Sequence, residues 1–273
     1  MASTVLITGA SQGIGKATAL QFARNGYSVI MAARNIDRLN AAAEEVKAIG
    51  QSVTAIPTDT RNPEQVQKLI DQSIAQYGTI DVLVNNAGVY SSGPADSFSL
   101  EDWHTVIDTN LWGYIHTIQA LLPHMLAQGR GMIVNVASVG GKVPIPYLVP
   151  YSTSKFAVTG LTQSLQSELS PKGITVCGIY PSLIKSDLME RAIFRGKDEE
   201  DAIARRKQLE QVLSVPVVEK PEDVAKAIWT AVKHRKTDVM VGSANMSLLS
   251  SRLFPGFLQW AMRRTFKNSD KDY

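Results

Sequence analysis

Cysteine is nearly absent: Cys177 stands alone in 273 residues. A lone thiol excludes an internal disulfide framework, and a reducing compartment is its simpler setting. No uncharged apolar run reaches transmembrane length, so a spanning helix is not expected. No basic leader precedes the apolar segment that starts at Thr4, so a secretory signal is not expected either. Charge of one sign is also scarce, with 28 Lys and Arg against 25 Asp and Glu, a net charge of +3. That small excess sits in the tail from Asn245 to Tyr273, where Arg252, Arg263, Arg264, Lys267 and Lys271 outweigh Asp270 and Asp272. The body is therefore neutral and offers no footprint for nucleic acid. His104, His116, His124 and His234 lack the spacing of metal ligands, so no catalytic metal is expected. No repeat, low-complexity linker or break in composition divides the chain.

What remains is an ordinary globular balance, 44% hydrophobic and 19% charged. Short apolar runs alternate with longer helical patterns. The runs are Thr4–Thr8, Ser28–Ala33, Ser52–Pro57, Ile80–Asn85, Gly131–Val136, Ile174–Tyr180 and Asp238–Val241. They are continuous rather than alternating, as strands covered on both faces require. Helical patterns fall at Gly13–Asn25, Ile36–Ile49, Pro63–Tyr77, Leu100–Gln128, Tyr151–Ser170 and Pro221–Lys233. Strand and helix in strict alternation predict an α/β fold, a Rossmann-like doubly wound parallel β-sheet with helices on both faces. The expected organisation is one domain over residues 1–273, with an insert at about 183–215 and an apolar, basic extension at about 245–273.

The first strand runs into Thr8-Gly9-Ala10-Ser11-Gln12-Gly13-Ile14-Gly15 and then a helix. Parallel sheets bind ligands at the carboxyl ends of their strands. A glycine turn there lets backbone approach a pyrophosphate, and the following helix N-terminus offers unpaired N–H groups and partial positive charge. The same residues imitate an esterase elbow (Gly9 to Gly13) and a P-loop (Gly15-Lys16), but neither imitation has its full context. At the end of the second strand, Ala33 stands where an NAD-binding fold usually carries a carboxylate, and Arg34 follows. A guanidinium suits a 2′-phosphate and no acid repels it, so NADP(H) is expected over NAD(H).

Further pieces complete a pattern: Asn85-Asn86-Ala87-Gly88 after the fourth strand, Asn110, Ser138 after the fifth strand, and Tyr151-x-x-x-Lys155. With the glycine turn, this ordered set resembles the short-chain dehydrogenase/reductase family over roughly residues 3–242. The resemblance implies catalysis by Asn110, Ser138, Tyr151 and Lys155. Tyr151 would be the general acid/base, Ser138 would bond the substrate oxygen, and Asn110 would anchor a water-linked proton path behind Lys155. It further implies cofactor contacts from Gly9, Ser11, Gln12, Gly13, Ile14, Gly15, Arg34, Asp59, Thr60, Asn86, Ala87, Gly88, Tyr151, Lys155, Pro181, Ile184 and Ser186. A free phenol titrates near 10 and is a sluggish base at neutrality. Lys155, one helical turn away, would place an ammonium beside it and lower that value. The sequence departs from the family pattern at Ser182, where glycine is usual.

Three segments should bound the substrate: Tyr90–Ala95, Val139–Val149 and the insert. Lys142 to Pro150 is mostly apolar and stiffened by three prolines. It favours an apolar substrate body, with Tyr147 and Leu148 as contacts beside Ser138 and Tyr151. Arg195–Gln211 carries both charge signs, as a solvated lid helix would. The tail, with Leu253-Phe254, Phe257-Leu258 and Trp260 flanked by arginines, suits a peripheral membrane surface, a pocket cover or a subunit contact. The long helices resemble those that pair subunits in the family, so a homodimer or homotetramer is expected. The expectation is a cytoplasmic NADP(H)-dependent oxidoreductase that reduces a ketone or aldehyde on an apolar body, with reversible alcohol oxidation. The alternative is a catalytically silent NADP-binding sensor or scaffold.

Overall fold

The computed structural model describes residues 3–185, 190–214, 218–253 and 256. Its strands are β1 (Thr4–Thr8), β2 (Ser28–Ala33), β3 (Val53–Pro57), β4 (Val82–Asn85), β5 (Ser91–Ser92), β6 (Gly131–Val136), β7 (Ile174–Pro181), β8 (Ile193–Phe194) and β9 (Asp238–Val241). Its helices are α1 (Gly13–Arg24), α2 (Ile36–Lys47), α3 (Pro63–Tyr77), α4 (Leu100–Ile107), α5 (Gly113–Gln128), α6 (Val149–Leu169), α7 (Glu199–Leu213), α8 (Pro221–Lys233) and α9 (Ala244–Leu253). One seven-stranded sheet runs in the order β3-β2-β1-β4-β6-β7-β9, with every pairing parallel. This is the doubly wound, Rossmann-like arrangement. Strand order reverses between β1 and β4, so a crevice opens there above the carboxyl ends.

Both faces of the sheet are covered, which is why its central strands read as continuous apolar runs. Val5, Ile7, Val29, Met31, Val84 and Val134 point to one face, against Phe22, Leu39, Val224 and Ile228 of α1, α2 and α8. Leu6, Ile30, Leu83 and Ile133 point to the other, against Leu69, Ile70, Ile118, Leu121 and Leu169 of α3, α5 and α6. A polar seam interrupts the second layer. Thr117 donates to Asn85 Oδ1 at 2.6 Å, Asn85 Nδ2 donates to Asn135 Oδ1 at 3.0 Å, and Asn135 Nδ2 donates to Thr162 Oγ1 at 3.0 Å. All four residues are fully buried, so each bond spares a desolvated group from being left unpaired.

The expected segments match the long elements closely, and three differences have physical causes. The helix expected over Leu100–Gln128 is divided by a π-helical segment at Asp108–Trp112. Helix α6 starts earlier than expected, at Val149, because Pro150 fits a first turn, where no N–H partner is required. The charged helix expected at Arg195–Gln211 is α7, shifted to Glu199–Leu213, with Glu199, Glu200 and Asp201 at its positive end. Strands β5 and β8 pair in parallel as a separate two-residue ribbon, too short to leave a periodic signal.

Candidate active site

The first turn is built around Thr8. Its hydroxyl accepts from the backbone N–H groups of Asn86 and Ala87 at 3.0 and 3.1 Å. The Asn86 amide in turn donates to the Thr8 carbonyl at 3.0 Å, so the loops after β1 and β4 are fastened side by side. Gly9 and Gly13 take φ values of +65° and +52°, which side chains disfavour. Gly15 has a different reason: a Cβ there would land on the Gly9 carbonyl, so the glycine lets α1 pack against its own turn. The N-cap of α1, Gln12, makes no side-chain cap, and the first turn holds no acid. The positive end of α1 is thus turned, uncompensated, toward the cavity.

That cavity measures about 580 Å³ and is continuous across the carboxyl edge of the sheet. At one end lie Gly9, Gln12, Gly13, Ile14, Arg34, Asp59 and Thr60. Its middle is lined by Asn86, Ala87, Gly88, Ser138, Tyr151, Lys155, Pro181 and Ile184, and its far end by Tyr90, Ile145, Pro146, Tyr147, Leu148 and Leu183. The near end fits a dinucleotide: glycines that permit close approach, a bare helix N-terminus for pyrophosphate and an exposed guanidinium at the end of β2. Arg61 holds the Asp59 carboxylate through three short contacts and keeps its pKa low despite burial; Arg34 lowers it further.

The reactive side chains converge from three elements. Ser138 follows β6, and its hydroxyl stands near enough to the Tyr151 phenol to lower that phenol's pKa. Tyr151 and Lys155 share one face of α6. Lys155 Nζ donates to the Val136 carbonyl at 2.9 Å and sits 5.9 Å from the Tyr151 ring centroid. The lysine is 4% exposed, and burial lowers its pKa to about 7. Burial likewise raises the Tyr151 pKa, with the Ser138 hydroxyl opposing it. The expected acidification of the phenol by an adjacent ammonium is therefore corrected for this state. Both groups are withdrawn from water, and desolvation of the charged form is the largest cause of each shift.

Most of the expected site residues line this cavity, but Ser11, Gly15 and Asn110 do not. Ser11 is buried beneath the turn, and Gly15 packs against Gly9 as described. Asn110 is fully buried behind the site. Its amide donates to the Val89 carbonyl and to Ser154 Oγ, both at 2.9 Å, and accepts from Val89 N–H at 2.7 Å. It lies in the π-helical segment, a form often found at functional sites. Ser186 lies outside the described residues, as does the tail beyond Gly256.

The three segments expected to bound the substrate do line the cavity. Tyr90 packs its ring on Tyr151 at 5.0 Å between centroids and on Phe194 at 6.3 Å. Helix α7 contributes Arg205, Gln208, Leu209 and Leu213, so the expected solvated helix has an inner face on the cavity. Arg205 bonds Asp201 and lies 4.9 Å from the Tyr147 ring centroid, while Tyr147 itself takes φ +62° and accepts from Gly93 N–H through its carbonyl. The base of the insert is fixed by Arg195, which grips the Asp102 carboxylate at 2.6 and 2.8 Å.

Residues 3–199 match the family described as short chain dehydrogenase. A 3-oxoacyl-[acyl-carrier-protein] reductase FabG of Staphylococcus aureus is 40% identical over 191 residues, 70% of this chain and 78% of its own. An uncharacterized oxidoreductase of Staphylococcus haemolyticus, SH0585, is 35% identical over 72% of this chain and 84% of its own. A short-chain dehydrogenase/reductase of Burkholderia phymatum solved with NAD superposes with a TM-score of 0.85 at 28% identity, covering 94% of this chain and 95% of its own. One from Sphingobium yanoikuyae solved with NADPH gives 0.74 at 27% identity, covering 99% and 96%. The glycine turn, the Ser138–Tyr151–Lys155 cluster and these likenesses agree: the chain belongs to the short-chain dehydrogenase/reductase family of oxidoreductases.

Proposed function

We propose that this protein is an NADP(H)-dependent ketoreductase that reduces a ketone or aldehyde carried on an apolar body. The observation that carries the reading is the Tyr151–Ser138 pair at the junction of two unlike halves of one cavity. The near half has helix dipole, glycines and Arg34 for a nucleotide; the far half has Ile145, Pro146, Leu148 and Leu183 for a hydrocarbon. The likeness to a 3-oxoacyl-[acyl-carrier-protein] reductase supports a carbonyl substrate. NADP(H) over NAD(H) is supported by Ala33 and Arg34 at the end of β2, since no carboxylate there would repel a 2′-phosphate.

When bound, the nicotinamide supplies the hydride. The chain supplies the proton and the positioning. Gln12, Gly13 and the first turn of α1 hold the phosphates, while Asn86 keeps the loop beside them in place. Ser138 donates to the carbonyl oxygen and fixes it beside the Tyr151 hydroxyl. The raised pKa of Tyr151 keeps its proton on at neutral pH, which is the form that reduction needs. Lys155, anchored on the Val136 carbonyl, stands behind the phenol as the next proton carrier, and Asn110 fixes the backbone around Val89 beside it. The far wall, from Tyr90 to α7, excludes water from the reacting carbon.

We also read the protein as a homodimer or homotetramer built on the outer faces of α4, α5 and α6, where Leu100, Trp112 and Phe156 stay exposed. Among the described residues no helix is long and apolar enough to cross a membrane. The test of function is a panel of carbonyls and alcohols run with NADPH and with NADH. Absorbance loss with NADPH on an apolar ketone is the expected result. Equal or better kcat/KM with NADH would overturn the cofactor preference. Tight NADPH binding without turnover on any carbonyl would favour a silent sensor.

A further inference from the structure

Glu219 lines no part of the cavity, yet it meets two segments that do. Its carboxylate accepts from the Ser182 hydroxyl at 2.8 Å through Oε2 and from the Ser243 backbone N–H at 3.0 Å through Oε1. Its carbonyl accepts from Lys185 N–H at 3.0 Å, and its backbone bridges Ile184 in parallel. Gly242, with φ +67°, leaves the space that the carboxylate fills; a Cβ there would land on it. Pro181, Ser182, Leu183, Ile184 and Ser243 all face the cavity, beside Tyr151 and Lys155. Ser182 is also where the sequence departs from the glycine usual in its family, and the hydroxyl gained there is the group that reaches Glu219.

We propose that Glu219 is a positioning residue: by bonding Ser182 and Ser243 it sets the cavity wall from Pro181 to Lys185 that receives the nicotinamide end of the cofactor. The inference rests on the functional reading above. A polypeptide wall after β7 has no regular structure to hold it, because the strand ends at Pro181. Without an external anchor the Ser182–Ile184 backbone would be fixed only by its two ends. Glu219 supplies that anchor from a different segment, just before α8: its backbone holds Ile184 and Lys185, and its carboxylate ties down Ser182 and orients the turn at Ser243.

The test is a set of variants, E219A, E219Q, S182A and E219A/S182A, measured by NADPH fluorescence titration, steady-state kinetics and thermal melting. E219A should weaken NADPH binding about tenfold, the scale of a lost charge-assisted hydrogen bond, and raise KM for NADPH more than KM for the carbonyl. E219Q should recover most of the loss, since an amide still accepts from Ser243 N–H and still pairs with the Ser182 hydroxyl. S182A should weaken binding less than E219A, and the double variant should be no worse than E219A alone. E219A binding NADPH like the wild type would overturn the proposal. So would E219Q as weak as E219A, or additive losses in the double variant. Should E219A not fold, an S182A protein with unchanged affinity would overturn it equally. A wild-type protein that bound no nicotinamide nucleotide would instead sink the functional reading itself.

Discussion

At the residue scale, the candidate catalytic cluster is legible as an ordered set: Tyr151 and Lys155 stand four apart, and Ser138 and the glycine turn come at matching places before them. What could not be read is the direction in which the pair titrates, because burial is a property of the fold. Tyr151→Phe should keep NADPH affinity within about threefold and lower kcat by about 10²–10⁴, the range ascribed to a positioned acid; fluorescence titration and single-turnover rates check both. Lys155 gives a second expectation. Its folded pKa of about 7 lies below the ordinary 10.5. From about pH 7 to 10 the unfolded chain therefore binds more protons, and stability contributed by this site rises with pH. Cofactor-free Lys155→Met should be more stable than the wild type at pH 7, by on the order of a few kcal/mol. Urea titrations should show that advantage shrinking toward pH 10; a constant gap would contradict the burial of a chargeable group.

At the element scale, the long strands and helices announce themselves by period and by their caps. Asn62 caps α3 and Pro63 opens it, where the helical pattern Pro63–Tyr77 was expected to begin. The π-helical segment left no such mark, since its hydrogen bonds are decided by what Asn110 meets across the chain. Asn110 there serves both backbone groups of Val89. Asn110→Leu would leave a buried N–H and C=O without partners, about 1–3 kcal/mol each. A loss of roughly 2–5 kcal/mol in chemical denaturation, together with a weaker NADPH complex, is the expected outcome. The far wall was legible only as segments: Tyr90 and Arg205 fall within stretches expected to bound the substrate, but their individual contacts, with Tyr151 and Tyr147, depend on the folded packing.

For the whole molecule, alternation of strand and helix was enough to expect a doubly wound sheet, because continuous apolar strands must be covered twice. Subunit pairing is less visible, since an exposed aromatic looks the same whether a partner or solvent meets it. Phe156 is 42% exposed on the outer side of α6, one residue beyond Lys155. Phe156→Glu should lower the mass measured by light scattering without abolishing NADPH binding; an unchanged mass would place the subunit contact elsewhere.

The sheet order has a consequence for biosynthesis. Strand β1 lies in the middle of the sheet, but one of its neighbours, β4, is translated long after it: Thr4 N–H waits for the Asp81 carboxylate, 77 positions downstream. Until that stretch leaves the ribosome, β1 has an open flank with apolar residues and unpaired amides, a template for wrong pairing between nascent chains. Slow synthesis of the stretch between β1 and β4 should therefore favour aggregation, and chaperone demand should peak before β4 emerges rather than after β9.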